Sequence, residues 1–388
     1  MKKAVMYGAG NIGRGFIGKT FSDSGYEVCF VDVAKDIVRK INEDMCYPVK
    51  IVSNVTQQEV FVRNVRAVNG LDIDSVADEI AAADIMATAV GVNVLPRIIA
   101  PICAGLKKRF DSYGKPLNII ICENMLDADK YIRKLIEQEI GEAYKTVLDE
   151  KLGLIEASIG RMVPVMTDEM REGNPLKVWV EPYDELPVDK DAFIGEIPKL
   201  NCLLPFSPFG FYLKRKLFIH NMGHAICAYL GWQKGYEFIH ECINDNEIRE
   251  TVESAMKSSA DALHNEYGIP IGEIYSNVYD ILDRFGNISL GDTVVRVGRD
   301  PVRKLGINDR LVGAALYCEA QDVRADGIVR SIVAALLFDN ADDEAAMKIQ
   351  QLISEKGIET CLKQVCGLNE NMPLFFKIIA NYTSRFKQ

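Results

Sequence analysis

The first 13 residues constrain the fold of this 388-residue chain more than any other segment. Ala4-Val-Met-Tyr predicts a strand, and Gly8-Ala-Gly-Asn-Ile-Gly13 follows it and opens a predicted helix over residues 11–24. The first glycine permits a tight turn, the second permits close approach of a pyrophosphate, and the third permits close packing of helix on strand. The segment therefore predicts a dinucleotide-binding βαβ unit, although an ordinary strand, turn and helix would share its outline.

Asp32 ends a second predicted strand, residues 27–32, about 20 residues beyond the turn, where a carboxylate can accept from both ribose hydroxyls. It would repel a 2′-phosphate, and Val33 and Ala34 offer no arginine, so we expect NAD(H) rather than NADP(H). Residues 89–91 end a later strand and should pass near the nicotinamide ribose, unless Gly91 is a routine loop glycine. The predicted cofactor-binding residues are Gly8, Ala9, Gly10, Asn11, Ile12, Gly13, Asp32, Val90 and Gly91.

Two domains are expected from the pattern of strands and helices. Residues 1–150 alternate strands, such as 84–90 and 117–122, with helical patterns, which is typical of a parallel sheet. Strand signals at 154–159, 163–165 and 177–181 predict an extension of that sheet over 151–200. The predicted helices beyond are 210–231, 244–267, 307–321, 324–338, 342–357 and 371–386. We therefore predict an α/β N-terminal Rossmann-type, doubly wound domain over 1–204 and a mainly α-helical C-terminal domain over 205–388.

Composition excludes several classes of function. A net charge of −10 argues against a nucleic-acid-binding protein, and no apolar run approaches the ~18 residues that span a membrane. The strand pattern begins at the N-terminus and leaves no room for a signal peptide. The ten cysteines are scattered without a Cys-x-x-Cys pair, which favours reduced thiols over disulfides or a zinc site. A cytoplasmic protein is expected.

A second informative segment is Lys214-Arg-Lys-Leu-Phe-Ile-His-Asn-Met-Gly-His224. In an α-helix Asn221 would lie about 140° and His224 about 80° around from Lys216, so one broad face could carry all three. An amine can move a proton, an amide can hold an oxygen and an imidazole can orient a hydroxyl. Burial, together with Lys214 and Arg215 if they share the cleft, would lower the lysine pKa. The alternative is an amphipathic helix with these residues in solvent.

Four separated blocks, in order along the chain, resemble the polyol-specific long-chain dehydrogenases over essentially the whole length. The blocks are Gly8-Ala-Gly-Asn-Ile-Gly-Arg-Gly-Phe-Ile-Gly18, Pro116-Leu-Asn-Ile-Ile-Ile-Cys-Glu-Asn-Met125, Lys216-Leu-Phe-Ile-His-Asn-Met-Gly-His-Ala225 and Arg296-Val-Gly-Arg-Asp-Pro-Val-Arg-Lys-Leu305. The resemblance implies hydride transfer with NAD(H), without a metal. The length is similar to the branch with phosphate substrates, so the expected reaction interconverts mannitol 1-phosphate and fructose 6-phosphate.

The resemblance also implies roles for individual residues. Lys216 would transfer the proton, Asn221 and Asn124 would hold the reacting oxygen, and His224 would bind substrate. Taken alone, Asn124 would more often be a helix N-cap. The expected substrate-binding residues are Arg296, Arg299, Lys304 and His220. Four basic residues between 296 and 304 suit a sugar phosphate, whereas a solvated charged loop is the alternative.

One departure keeps other functions open. This chain reads Ile159-Gly160-Arg161-Met-Val-Pro164 where the family usually reads Val-Asp-Arg-Ile-Val-Pro, so a carboxylate is missing. A related polyol or hexuronate dehydrogenase, acting on tagaturonate or fructuronate, is one alternative, and an NAD-binding sensor without catalysis is another. A hydroxyacid dehydrogenase would need a histidine–carboxylate pair, and none stands out. The expected partner is a small sugar phosphate or polyol, and the expected state is a monomer or small homo-oligomer.

Overall fold

The computed structural model describes residues 1–112 and 114–385 and divides the chain into two compact units. The first unit runs from Met1 to Gly210 and the second begins at Phe211. Within the described residues, every helix is too short or too polar to cross a bilayer.

The first unit is built on a six-stranded parallel sheet with the strand order β5-β2-β1-β6-β7-β8. The described strands are β1 Lys2–Tyr7, β2 Tyr26–Asp32, β3 Cys46–Val52, β4 Gln57–Arg63, β5 Val65–Asn69, β6 Ile85–Thr88, β7 Leu117–Ile121, β8 Leu152–Glu156, β9 Val178–Val180, β10 Leu186–Asp189 and β11 Leu203–Phe206. The helices of this unit are α1 Lys19–Asp23, α2 Lys35–Asp44, α3 Ile73–Ala82, α4 Leu95–Ser112, α5 Ala128–Glu139, α6 Lys145–Lys151 and α7 Asp168–Arg171.

The sheet is covered on both faces, as β1 shows. Ala4 and Met6 are fully buried in one apolar cluster, and Val5 and Tyr7 are buried in another. Successive side chains of a strand point to opposite faces, so the two clusters are the two layers that sandwich the sheet. A parallel sheet buried on both faces confirms the predicted Rossmann-type, doubly wound architecture.

The predicted extension of the sheet over 151–200 is correct only for β8, which pairs with β7. Strand β9 instead joins β3 in a separate sheet of order β4-β3-β9, and β10 pairs with β11. The strand predicted at 163–165 is wrong, because this stretch is irregular. Pro164 has no N–H to donate to a strand ladder. The Met162 N–H donates to the Glu181 carboxylate instead of to a neighbouring strand.

The second unit is helical, as predicted. Its helices are α8 Gly210–Arg215, α9 Met222–Lys234, α10 Ile239–Asn244, α11 Asn246–Tyr267, α12 Ile271–Phe285, α13 Val294–Gly298, α14 Pro301–Lys304, α15 Val312–Ala320, α16 Asp326–Leu336, α17 Glu344–Gln364 and α18 Pro373–Arg385. Position 386, included in the last predicted helix, lies outside the described residues. The prediction missed α12, because Pro270 marks a stop in sequence but is the N-cap of a new helix in the structure.

Helix α9 lies at the centre of this unit. It is buried nearly all round, with Ile226, Cys227 and Tyr229 completely covered. Gly223 permits close approach to α11, since a Cβ there would lie 2.7 Å from the Met256 sulfur. A helix that is apolar on every side is a core helix. Helix α9 is therefore a core helix of this unit, and Lys216, Asn221 and His224 at its beginning are half-buried.

Candidate active site

The glycine turn sits where the order of the parallel strands reverses, between β1 and β6. Gly8 has φ +103°, and a Cβ on it would lie 2.4 Å from the Ala89 carbonyl oxygen. A Cβ on Gly13 would lie 2.0 Å from the Gly8 carbonyl oxygen, whereas one on Gly10 would meet nothing within 4 Å. The first and third glycines are thus required by packing, and Gly10 faces open space. In open α/β sheets ligands bind in this crevice.

The residues between these glycines start the first helix. Asn11 and Ile12 are half-buried in its first turn, and the Asn11 amide nitrogen lies 3.4 Å from the Pro164 carbonyl oxygen. From Gly13 to Gly18 the helix is a π turn rather than the plain α-helix predicted over 11–24. The Phe30 ring packs directly against the end of this turn, since a Cβ on Gly18 would lie 2.4 Å from it.

Asp32 is held beside the glycine turn by backbone hydrogen bonds. One carboxylate oxygen accepts from the Ala9 N–H at 2.7 Å and the other accepts from the Ala34 N–H at 2.9 Å. A carboxylate has about four acceptor sites, so two remain after these bonds. Burial of Tyr7, and then the negative charge of Asp32, raise the pKa of Tyr7 to about 12. Asp32 is therefore fixed in place and still able to accept hydrogen bonds.

The loop after β6 has a partner that the sequence analysis missed. The Val90 and Gly91 N–H groups donate to the two carboxylate oxygens of Glu123, at 2.9 and 2.8 Å. Glu123 is only 7% exposed and immediately precedes Asn124. Its only sequence signal is a carboxylate directly after a buried strand.

Asn124 is exposed in the bend that follows β7, at the same carboxyl-terminal edge of the sheet as the glycine turn. The alternative role as a helix cap does not hold, because Asp127 occupies the N-cap position of α5. The structure thus places Asn124, Gly8, Asp32 and Gly91 at the ends of neighbouring parallel strands.

In the second unit, Lys216–Asn221 form a π turn inside a helix that continues from α8 to α9. Such a turn, with i to i+5 hydrogen bonds, accommodates one extra residue and delays the helical rotation by roughly 100°. Relative to Lys216, Asn221 therefore moves from the expected ~140° to about 40°, and His224 moves from ~80° to about 20° on the other side. The predicted broad face becomes a narrow one that carries all three residues.

His224 is packed between an aromatic ring and a carboxylate. Its ring stacks on Phe285 with centroids 4.9 Å apart and planes at 16°, and its Nε2 lies 3.3 Å from Asp292 Oδ2. That contact is close but poorly aligned, so Nε2 makes no regular hydrogen bond. The structure nevertheless supplies the histidine–carboxylate pair that the sequence did not reveal.

Asp292 also forms an ion pair with Arg296, one turn later. Burial alone would raise the pKa of Asp292, but His224 and Arg296 hold it below its usual value. Of the predicted substrate-binding residues, Arg296 is therefore already paired, while Arg299 is exposed at the end of α13.

Lys304 is the least solvated of these basic residues, at 5% exposure. Burial, followed by repulsion from Arg310 and Arg303, lowers the pKa of Lys304 to about 7 despite the nearby Asp300 and Asp309. Near neutral pH this amine is only partly charged. An incoming anion would favour its protonated form.

His220 lies on the same π turn but is buried at 8% exposure, edge-on to Phe285. Burial, and then Arg284, His224 and Lys216, keep its pKa well below the ordinary value. His220 is therefore a neutral, buried side chain that lies against Phe285 and near cationic groups.

The cations before the π turn have their own partners. The Lys214 ammonium lies 2.6 Å from Glu266 and 4.8 Å from the centre of the Tyr317 ring. Arg215 lies over the Tyr212 ring at 4.3 Å. Both cations are therefore held by contacts of their own, Lys214 by a carboxylate and Arg215 by an aromatic ring. Within the described ranges, no three His, Cys, Asp or Glu side chains cluster in a way that could hold a metal ion.

Comparisons with known proteins agree on one family. Residues 2–202 match the model of the mannitol dehydrogenase Rossmann domain, and residues 210–385 match that of the mannitol dehydrogenase C-terminal domain. A mannitol-1-phosphate 5-dehydrogenase of Geobacillus thermodenitrificans is 40% identical over 388 residues, all of both chains. One from Geobacillus stearothermophilus is 41% identical and covers 97% of each chain.

Solved structures share the fold at lower identity. The Pseudomonas fluorescens mannitol 2-dehydrogenase, in ternary complex with NAD and D-mannitol, has a TM-score of 0.77 and 16% identity, covering 99% of this chain and 91% of its own. A D-sorbitol dehydrogenase has a TM-score of 0.81 and 14% identity, covering 98% and 93%. Because family models match both units and relatives near 40% identity match the full length, this chain belongs to the mannitol dehydrogenase family of oxidoreductases.

Proposed function

We propose that this chain is an NAD(H)-dependent dehydrogenase that interconverts mannitol 1-phosphate and fructose 6-phosphate. The observation that carries the proposal is the π turn Lys216–Asn221, whose rotation would bring an amine, an amide and the His224 imidazole to one helix face. The full-length relatives named mannitol-1-phosphate 5-dehydrogenase support this choice of substrate.

The first unit would bind the cofactor. Gly8 and Gly13 leave no room for a Cβ, Gly10 faces open space, and Asp32 retains acceptor capacity for ribose hydroxyls. Val33 is 60% exposed and Ala34 is uncharged, so neither of the two residues after Asp32 compensates a 2′-phosphate. NAD(H) would supply the hydride chemistry.

Lys216 would act as the acid and base. In the reducing direction its ammonium donates a proton to the carbonyl oxygen of the ketose, and in the oxidising direction its amine accepts the proton of the alcohol. The amide N–H groups of Asn221 and Asn124 would donate to the same oxygen and stabilise its developing negative charge.

His224 would orient a substrate hydroxyl. Stacking on Phe285 fixes its ring plane, and the Asp292 carboxylate beside Nε2 favours the tautomer with a hydrogen on that nitrogen. Nδ1 would then be an acceptor. Arg299 and Lys304 would bind the phosphate. Its negative charge would stabilise the protonated form of the buried Lys304 amine.

The test is a panel of ketoses assayed by oxidation of NADH and NADPH. We expect turnover with fructose 6-phosphate, much weaker turnover with fructose, and preference for NADH. Turnover with tagaturonate or fructuronate, and none with the phosphate ester, would replace the proposed substrate. NADH binding without turnover of any ketose would favour a sensor.

A hexuronate substrate is the second candidate, because Gly160 alters the site segment. A Cβ at this position would lie 3.0 Å from the Tyr183 ring, so the carboxylate usual in the family would require that ring to move. The same panel separates the two candidates. A cytoplasmic location and a monomeric or small homo-oligomeric state complete the proposal, and the ten free cysteines support the former.

A further inference from the structure

Glu123 connects two loops of the first unit that each carry residues of the proposed site. Its carboxylate accepts the Val90 N–H at 2.9 Å and the Gly91 N–H at 2.8 Å. Gly91 has φ +90°, a conformation that L side chains rarely adopt. The loop after β6 is thus held in one conformation by a side chain from the loop after β7.

The Glu123 contact continues the line of hydrogen bonds between β6 and β7 beyond the ends of these two strands. The Cys122 N–H donates to the Thr88 carbonyl at 2.9 Å, and the Glu123 bonds follow directly. On the other side, the Ala89 carbonyl is the atom against which Gly8 is packed. The glycine turn, the Val90–Gly91 loop and Glu123 therefore form one contiguous set of contacts.

The free energy of burying a carboxylate indicates that Glu123 does more than fill space. A carboxylate at 7% exposure costs free energy unless its oxygens are hydrogen-bonded, and here each oxygen accepts one backbone N–H. An apolar residue would fill the space without this cost, but it would leave two N–H groups unpaired.

We infer that Glu123 is a positioning residue that fixes the Val90–Gly91 loop relative to Asn124, its neighbour in the chain. The inference rests on the proposed function, in which that loop borders the cofactor and Asn124 holds the reacting oxygen. Glu123 would thereby set the geometry between the hydride donor and acceptor without contacting either.

Two substitutions separate the parts of this role. Glu123→Gln keeps the size but places an NH2 group against one N–H, so one hydrogen bond and the charge are lost. Glu123→Asp keeps the charge and both acceptors but is shorter by one methylene. We expect Glu123→Gln to raise the Kd for NADH about tenfold and to slow hydride transfer about tenfold or more. Glu123→Asp should recover part of both.

The readouts are NADH affinity, by fluorescence titration, and the single-turnover rate constant with enzyme in excess. With folded enzyme in saturating excess over NADH, the NADH sets the amplitude and an inactive fraction does not alter the rate constant, so the rate constant reports geometry. A slower reaction with NADH deuterated at the transferred position identifies the hydride step. Glu79→Gln, which removes a carboxylate paired with Arg66, is the matched control and should change neither quantity.

A wild-type rate constant in Glu123→Gln overturns the inference. If the wild-type protein does not reduce fructose 6-phosphate, the proposed function fails, but the NADH titration still tests whether Glu123 positions the Val90–Gly91 loop. In that case an unchanged Kd in both Glu123 variants overturns the inference, and a raised Kd in Glu123→Gln with recovery in Glu123→Asp supports it.

Discussion

His224 Nε2 lies 3.3 Å from Asp292 Oδ2, although the two residues are far apart in the chain. The carboxylate is 8% exposed and also pairs with Arg296, while the imidazole stacks on Phe285. One buried acid thus connects a histidine and an arginine that the sequence analysis assigned separately to the substrate. Asp292 would determine the orientation of both.

Asp292→Asn should lower kcat/KM about tenfold to hundredfold, equivalent to about 1.4 to 2.7 kcal/mol of barrier. The variant removes the charge that faces Arg296 and permits either tautomer of His224. Steady-state kinetics with fructose 6-phosphate measure the effect. Asp283→Asn, which removes an exposed partner of Arg249, is the control, and equal kinetics in the two variants would remove Asp292 from the site.

Lys216→Ala should reduce turnover by roughly 10²- to 10⁴-fold, the usual contribution of a general acid or base. NADH affinity should stay near the wild-type value, because the glycine turn and Asp32 lie in the other unit. The control is Lys214→Ala, which removes a lysine paired with Glu266. Wild-type activity in Lys216→Ala contradicts the mechanism.

Deleting Leu217 should convert the π turn to a plain α-helix. The deletion removes one residue together with the ~100° delay of the π turn, so Asn221 would stay about 40° and His224 about 20° from Lys216, and activity should remain within about tenfold of the wild-type value. Circular dichroism and NADH titration check that the fold and cofactor site persist. A folded deletion variant without activity would show that the shared helix face is not sufficient for the reaction.

Affinity for the phosphate substrate should depend on pH through Lys304. Its folded pKa, lowered to about 7 chiefly by burial, means that the amine loses its proton as pH rises above neutrality. KM for fructose 6-phosphate should therefore rise, approaching tenfold per pH unit above about pH 7. Lys304→Met should have a high KM without this dependence, whereas Lys348→Met, at an exposed lysine, should retain it.

Lys304 also affects stability. Its folded pKa is below the unfolded value, so its contribution is favourable above about pH 10.5 and is lost as pH falls toward about 7. Lys304→Met should consequently be more stable than wild type at pH 6, and the difference should narrow at high pH. Urea denaturation at both ends of this range measures it, and a constant difference is the contrary result.

Stability should depend on pH in the opposite direction through Glu156. Burial, and then Asp129, raise its pKa to about 7, while the Ala128 N–H donates to it at 2.9 Å. The folded pKa exceeds the unfolded one, so stability is full below about pH 4.5 and declines as pH rises through about 7.

Glu156→Gln keeps the acceptor for Ala128 but cannot ionise. After allowance for solvent screening, the variant should gain about 1 to 2 kcal/mol over wild type at pH 8, with no gain near pH 4.5. Urea denaturation at the two pH values tests this. Glu150→Gln, at an exposed glutamate, should show no such change.

The parallel sheet could be predicted because its signals are local. Strand β1 is a short apolar run, the glycine turn follows it, and Asp32 ends β2. The small sheets were not predictable, because β9 pairs with β3 across a sequence separation of more than 100 residues. Pairing of that kind depends on which edges remain open after the rest of the chain has packed.

The sequence by itself determined the two fold classes, the glycine turn, Asp32 and the residue types of the Lys216 segment. Only the tertiary structure decided the π turn, because its poorer local hydrogen bonds are offset by packing, such as the stacking of Phe218 on Tyr317 at 5.3 Å. The same holds for the pairing of His224 with Asp292. Both are set by contacts between distant residues, which no periodicity in the chain encodes.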